Sequence, residues 1–138
     1  MSEKIKIIIV DDHRIFVDSL SRLLKAERRL SVIGSALNGE ELLELLKKLT
    51  PDIIILDLEM PIMDGHEVFK RIKKLYPHIK IIILSGFLED SFVHHFMGKG
   101  ANAVLAKECD HEILLDAIYT VREKNYYFDP EISQALLN

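Results

Sequence analysis

The stretch Ile53-Ile54-Ile55-Leu56-Asp57 places a carboxylate directly after an uninterrupted run of large aliphatic residues. The segments Ile5–Val10 and Lys80–Leu84 are nearly as rich in isoleucine, valine and leucine. Because these runs lack polar alternation, they are typical of strands that are buried on both faces of a parallel sheet. Two shorter apolar runs, Leu30–Gly34 and Ala103–Leu105, bring the number of predicted strands to five.

Amphipathic segments lie between these strands and are predicted to be helices. They run over about Ile15–Arg28, from Asn38-Gly39 to about Leu49, and over Asp64–Tyr76, Asp90–Lys99 and Asp110–Glu123, with a short sixth helix after Pro130. Asn38 and Glu41 have the spacing of a capping box, and Gly100 stands at the expected end of the fourth helix. The alternation predicts a doubly wound α/β domain with helices on both faces of the sheet, in three layers α/β/α.

The composition fits one compact domain. The chain has 138 residues, of which 49% are hydrophobic, so a core can form without a disulfide or a structural metal. The formal net charge of −4 argues against a nucleic-acid surface on this segment, and the single cysteine, Cys109, cannot form an internal disulfide. No apolar run approaches the ~20 residues of a membrane span, and no signal-peptide pattern is present. We therefore expect a cytoplasmic protein without membrane contact.

Polar side chains follow four of the predicted strands. They are Asp11 with Asp12, then Asp57, then Ser85, and finally Lys107. Ligands of open α/β sheets bind beyond the carboxyl ends of the strands, so these groups are expected at one edge. Clustered carboxylates repel one another unless a cation intervenes, and Mg²⁺ accepts carboxylate, carbonyl and water oxygens. With a hydroxyl and a lysine beside them, the carboxylates predict a phosphoryl-accepting site in which Asp57 is the nucleophile.

Four motifs in this order are specific in combination. They are Val10-Asp11-Asp12-His13, the stretch Ile55–Gly65, Leu84-Ser85-Gly86 and Leu105-Ala106-Lys107. Over nearly its whole length the chain resembles the response-regulator receiver domain of two-component signalling. The resemblance implies a flavodoxin-like fold with the strand order 2-1-3-4-5.

The resemblance also implies a role for each site residue. Asp57 would be the phosphoacceptor. Mg²⁺ would be held by Asp12, Asp57 and the backbone carbonyl of Glu59, with Asp11 supporting the metal. Ser85 and Lys107 would contact the phosphoryl group, and Pro61 and Gly65 would shape the loop that follows the acceptor.

Three features place the chain within the family. Glu108 rather than proline follows Lys107, and the ending Tyr126–Ile132 resembles the NarL/LuxR subfamily, as does His13 after the aspartate pair. This likeness implies that residues 1–125 form the receiver domain. Residues 126–138 would then form a short helix and the start of a linker to a DNA-binding domain. We expect the chain to be excised from such a two-domain regulator rather than to be a natural single-domain protein, with DNA contacted only through the missing domain.

One departure concerns the switch. Many receivers carry an aromatic residue three positions before the conserved lysine, and here that position is Val104. Valine cannot swing between buried and exposed states as a tyrosine ring can. The signal is therefore expected to reach the output face differently or more weakly.

The expected function is a signalling switch rather than an enzyme. A sensor histidine kinase or a phosphotransfer protein would phosphorylate Asp57, and the added charge would shift a conformational equilibrium. The output would be formation of a homodimer or release of a DNA-binding partner. A Mg²⁺-dependent phosphatase with an aspartyl nucleophile is one alternative, but Glu59 stands where such enzymes need a second aspartate. A flavin- or nucleotide-binding module is another, but it needs a glycine- or hydroxyl-rich phosphate loop where Asp11-Asp12 stands.

Structural roles remain open for several of these residues. Asp57 could simply end its strand, Asp11 or Asp12 could cap the first helix, and Ser85-Gly86 could form a turn. The six histidines are dispersed along the chain, so we interpret them as surface or partly packed residues rather than as metal ligands.

Overall fold

The computed structural model describes residues 3–59, 65–86 and 88–128. Within these ranges, strands and helices alternate strictly. The strands are β1 (Ile5–Val10), β2 (Leu30–Ala36), β3 (Ile53–Asp57), β4 (Lys80–Ser85) and β5 (Ala103–Ala106). The helices are α1 (Arg14–Lys25), α2 (Gly39–Leu46), α3 (Gly65–Leu75), α4 (Asp90–Gly98) and α5 (His111–Lys124).

The strands form one parallel sheet in the order β2-β1-β3-β4-β5. This order confirms the predicted doubly wound, flavodoxin-like fold. The register aligns the carboxyl ends of the central strands, since Val10 pairs with Leu56, Asp57 with Leu84 and Ser85 with Ala106. The residues that follow these strands are therefore delivered to the same edge of the sheet.

Side chains of successive strand residues point to opposite faces and build two separate cores. On one face Ile8, Ile54 and Ile81 pack with buried residues of α2, α3 and α4. On the other, Ile55 and Ile82 pack with buried residues of α1 and α5. The uninterrupted aliphatic runs are thus explained by burial on both faces, and the three-layer arrangement is confirmed.

The element boundaries differ from the sequence prediction by a few residues. Helix α1 ends at Lys25 rather than near Arg28, because the chain turns through a hydrogen bond from Leu30 N to Glu27 O on its way into β2. Asn38 caps α2 as predicted, and its side chain accepts a hydrogen bond from Glu41 N at 2.9 Å. The predicted sixth helix after Pro130 lies outside the described residues.

A glycine and an asparagine shape two of the turns. Gly100, which follows α4, has a φ of 103°, as expected of a residue that ends a helix in the left-handed region. Asn125 ends α5 with a φ of 76°. Beyond it, Tyr127 N donates to Asn102 O at 2.9 Å, and the Tyr127 side chain is buried in the core below α1 and α5.

Candidate functional site: a carboxylate and lysine cluster at the strand ends

The carboxyl ends of β1 and β3 carry two deeply buried carboxylates. Asp11 and Asp57 are each only 1% exposed, whereas Asp12 beside them is partly exposed. The N-cap position of α1 is taken by His13, so Asp11 and Asp12 both precede the helix. Buried carboxylates are costly unless cations or hydrogen bonds compensate them.

Lys107 links the two buried carboxylates. Its Nζ lies 2.7 Å from Asp11 Oδ2 and 3.5 Å from Asp57 Oδ2. The same Nζ lies 4.8 Å from the centre of the Phe16 ring, within the range of a cation–π contact. Burial disfavours the charged amine, but the hydrogen bond and attraction to Asp11, aided by Asp57, outweigh it and raise the pKa of Lys107. Lys107 is therefore a fixed positive charge at the edge of the cluster.

Asp57 is the carboxylate whose protonation is most perturbed. Burial raises its pKa from 3.8 to about 6, and the nearby charge of Asp11 adds to the shift. The Glu59 backbone N–H donates to Asp57 Oδ1 at 3.1 Å and opposes the shift, as does Lys107. Asp57 is consequently poised to change charge near neutral pH, which is common at functional sites.

Ser85 ends β4 beside this cluster and is 2% exposed. Its hydroxyl donates to Glu59 Oε1 at 3.3 Å, and its carbonyl accepts from Lys107 N at 2.7 Å. The predicted hydroxyl thus lies between the loop after β3 and the lysine after β5. The Glu59 side chain is exposed, so the site is open to solvent on this side.

Gly65 closes the loop that starts at Asp57. Its N–H donates to Leu58 O at 3.0 Å, and a Cβ at this position would lie only 2.2 Å from Leu58 Cα. Only glycine permits the start of α3 to come this close to the backbone that follows Asp57. Pro61, the other residue expected to shape this loop, lies outside the described residues.

The residues present fit a hard divalent cation. Ligand atoms of Asp11, Asp12, His13 and Asp57 all lie within 4.8 Å of one another. Two buried oxygens, Asp12 Oδ1 and Asp57 Oδ2, make no hydrogen bond to the described residues. His13 Nδ1 is 3.2 Å from the first, and Lys107 Nζ is 3.5 Å from the second. Carboxylate oxygens are the preferred ligands of magnesium, and these two accept no hydrogen bond from the described residues that would compete with a metal.

The sequence prediction missed His13. Its side chain is exposed, as expected, yet Nδ1 lies 3.0 Å from Asp11 Oδ1 and 3.1 Å from Lys107 Nζ. The His13 backbone N–H also donates to Asp11 Oδ1 at 2.8 Å. Its position directly after the aspartate pair was the only signal in the sequence. The contact with Lys107 joins residues that are 94 positions apart in the chain.

Comparison with known proteins agrees with this site. The family model described as the response regulator receiver domain matches residues 7–119. A response regulator receiver is a signalling domain defined by this fold and by an acidic pocket at the strand ends. The chain belongs to the response regulator receiver family.

Two of its relatives are named as regulators. The transcriptional regulatory protein DegU of Brevibacillus brevis is 34% identical over 97% of this chain and 57% of the relative. The response regulator GacA of Pseudomonas aeruginosa is 33% identical over 96% of this chain and 62% of the relative. The chain thus spans about three-fifths of the length of these relatives.

A solved structure supports the same assignment. A two-component response regulator of the LuxR family from Aurantimonas sp. superposes with a TM-score of 0.89 at 26% identity, covering 98% of this chain and 96% of that one. The predicted likeness to the NarL/LuxR subfamily is confirmed. Within the part of the chain that the structure describes, no helix is long and apolar enough to cross a membrane.

Proposed function

We propose that Asp57 accepts a phosphoryl group and that the chain is a receiver switched by this modification. The observation that carries the proposal is the meeting of Asp57, Asp11 and Lys107 at one edge, with Asp57 Oδ2 buried and without a hydrogen bond from the described residues. A carboxylate oxygen of Asp57 would bond to phosphorus as the bond to the donor's leaving atom breaks. The donor would be a sensor histidine kinase or a phosphotransfer protein.

Asp11, Asp12, Asp57 and the backbone carbonyl of Glu59 would hold Mg²⁺. When bound, Mg²⁺ neutralises negative charge on the carboxylates and on the incoming phosphoryl oxygens. The close approach of the carboxylates supports this ligand set, since without a cation they repel one another. The ionised form of Asp57 is the nucleophile, so its raised pKa would limit transfer below about pH 6 in the absence of metal.

Lys107 and Ser85 would stabilise the transferred group. Lys107 Nζ, 3.5 Å from Asp57 Oδ2, is near enough to pair with a phosphoryl oxygen after a small shift. Ser85 would have to exchange its present acceptor, Glu59 Oε1, for the phosphoryl group. Such an exchange links the chemistry at Asp57 to a movement at the end of β4.

The output would be a change in self-association that acts on transcription. Val104 stands where many receivers carry an aromatic residue. It is only 3% exposed and packs in the core with α4, and valine has no ring that could swing outward. DegU is named as a transcriptional regulatory protein and GacA as a response regulator, and both are longer than this chain. DNA would be contacted only through an attached domain, in the cytoplasm.

Labelling with acetyl phosphate and Mg²⁺ tests the proposal. Intact mass spectrometry is expected to show one added phosphoryl group on the wild type and none on Asp57→Asn. Asp52→Asn is the matched control. Asp52 immediately precedes β3, at the end of the strand opposite Asp57, and it pairs with Arg122 away from the site. Equal labelling of wild type and Asp57→Asn would overturn the proposal. Sustained turnover of a phosphomonoester would favour the phosphatase alternative.

A further inference from the structure

A second concave region lies between α3 and α4, away from the carboxylates. It is a groove of about 350 Å³. Its floor is formed by Phe69 and Phe96, which are 4% and 2% exposed and meet edge to face with ring centres 5.4 Å apart. The His66 ring lies 4.9 Å from Phe96 and continues this aromatic surface. The volume falls within the range of small-molecule sites, about 300–1,000 Å³.

Three lysines surround this aromatic floor. Lys70 and Lys73 come from α3, and Lys99 follows α4. None of the three forms an ion pair with a carboxylate of the described residues. By contrast, Arg71 on the same helix pairs with Glu67 at 3.2 Å. The groove therefore concentrates positive charge in a chain whose formal net charge is −4.

Lys73 is held in place by the backbone. Its Nζ donates to Gly100 O at 2.9 Å, and a Cβ on Gly100 would lie 2.9 Å from Lys73 Cε. The turn after α4 thus both makes room for the lysine and fixes its amine. Burial lowers the pKa of Lys73, which shows that part of its hydration has been removed. A positioned and partly desolvated ammonium interacts more strongly with an anion than a solvated one does.

We propose that this groove binds a small aromatic anion, a single ring that carries two or more carboxylate, sulfonate or phosphate groups. The ring would lie against His66 and Phe96, and the anionic groups would face Lys70, Lys73 and Lys99. The apolar floor favours such a molecule over a bare inorganic anion, and the charged rim favours it over a neutral ring.

Titration of the metal-free chain with benzene-1,3-disulfonate, followed by NMR of backbone amides and aromatic rings, tests the proposal. Saturable shifts are expected at α3 and α4, including His66 and Phe96, and not at Lys107. In the double variant Lys70→Glu with Lys99→Glu, the dissociation constant is expected to rise at least about tenfold, since two charge contacts are reversed. Both side chains are exposed, so the variant is expected to fold.

The matched control is Lys25→Glu with Lys74→Glu, which changes the net charge equally at exposed positions outside the groove. Its dissociation constant is expected to stay within about twofold of the wild type, because nonspecific electrostatic attraction is small for a screened surface charge. Sulfate alone should bind far more weakly than the disulfonate. Absence of saturable shifts, equal weakening in both double variants, or equal affinity for sulfate would each overturn the proposal.

Discussion

Asp57 ends β3 with a carboxylate that is almost wholly removed from water and faces a second buried carboxylate, Asp11. The cost of this arrangement appears as a raised pKa, to about 6, whose main cause is burial. Lys107 offsets part of the cost but lies 3.5 Å from Asp57 Oδ2, closer to Asp11 than to Asp57. The site is thus left with negative charge that a cation or a covalent change can relieve.

The raised pKa has a consequence for stability in the absence of divalent metal. Because the folded state binds the Asp57 proton more tightly than the unfolded state, its contribution is present below about pH 3.8 and is lost as pH rises through about 6. Because asparagine cannot ionise, Asp57→Asn removes the loss of stability that ionisation of Asp57 causes as pH rises. In EDTA, the unfolding free energy of the variant minus that of the wild type should therefore grow between pH 4 and 7. The growth should be on the order of 2–3 kcal/mol at most.

Urea unfolding of both proteins across this pH range measures the difference. Taking the difference cancels the titration of other carboxylates that the two proteins share. A difference in unfolding free energy that stays constant from pH 4 to 7 would show that the pKa of Asp57 is not raised in the folded state.

The start of α3 packs closely against the backbone that follows Asp57. Gly65 allows this contact, since a Cβ there would lie 2.2 Å from Leu58 Cα and 2.8 Å from Leu58 C. Neither atom belongs to a flexible side chain that could move aside. The position of α3 and the conformation after Asp57 are therefore fixed together.

Gly65→Ala is expected to destabilise the protein by about 1–3 kcal/mol, the usual cost of overpacking. It should also slow phosphorylation, because relief of the clash moves the backbone beside Asp57. Gly98→Ala is the matched control, since a Cβ at the end of α4 would meet nothing within 4 Å. That change should be neutral or stabilising by up to about 1 kcal/mol. Equal unfolding midpoints for Gly65→Ala and the wild type would contradict the close approach.

The elements were largely predictable from the sequence because local patterns determine them. Continuous aliphatic runs indicated buried strands, and Asn38 with Glu41 indicated a helix start. The order of residues at strand ends also predicted that Asp11, Asp57, Ser85 and Lys107 would meet at one edge. His13 was not predicted as part of the cluster, because the contact of its ring with Lys107 arises only when β1 and β5 are brought to the same edge. The groove beside Lys73 was not predicted either, because it depends on the packing of α3 against the turn at Gly100.

For the whole molecule, a cation at the carboxylates would stabilise the folded state by mass action, because the unfolded chain has no such site. The thermal midpoint is expected to rise with Mg²⁺ concentration in the wild type and to respond little in Asp12→Asn. Asp110→Asn, at an exposed position outside the cluster, should respond as the wild type does. Mg²⁺ prefers oxygen ligands, so His13→Ala should also retain the response.

Differential scanning fluorimetry with Mg²⁺ titrated from zero measures these midpoints. A full response in Asp12→Asn would contradict the proposed ligand set. Loss of the response in His13→Ala would show that the ring takes part in holding the metal or its ligands.

Borohydride reduction shows which residue carries the phosphoryl group. Sodium borohydride converts an aspartyl phosphate to homoserine, and peptide mass spectrometry then locates the converted residue. After phosphorylation with Mg²⁺, homoserine is expected at position 57 and nowhere else. Homoserine at Asp11 or Asp12, or a phosphoryl group that survives reduction on Ser85 or on a histidine, would contradict it.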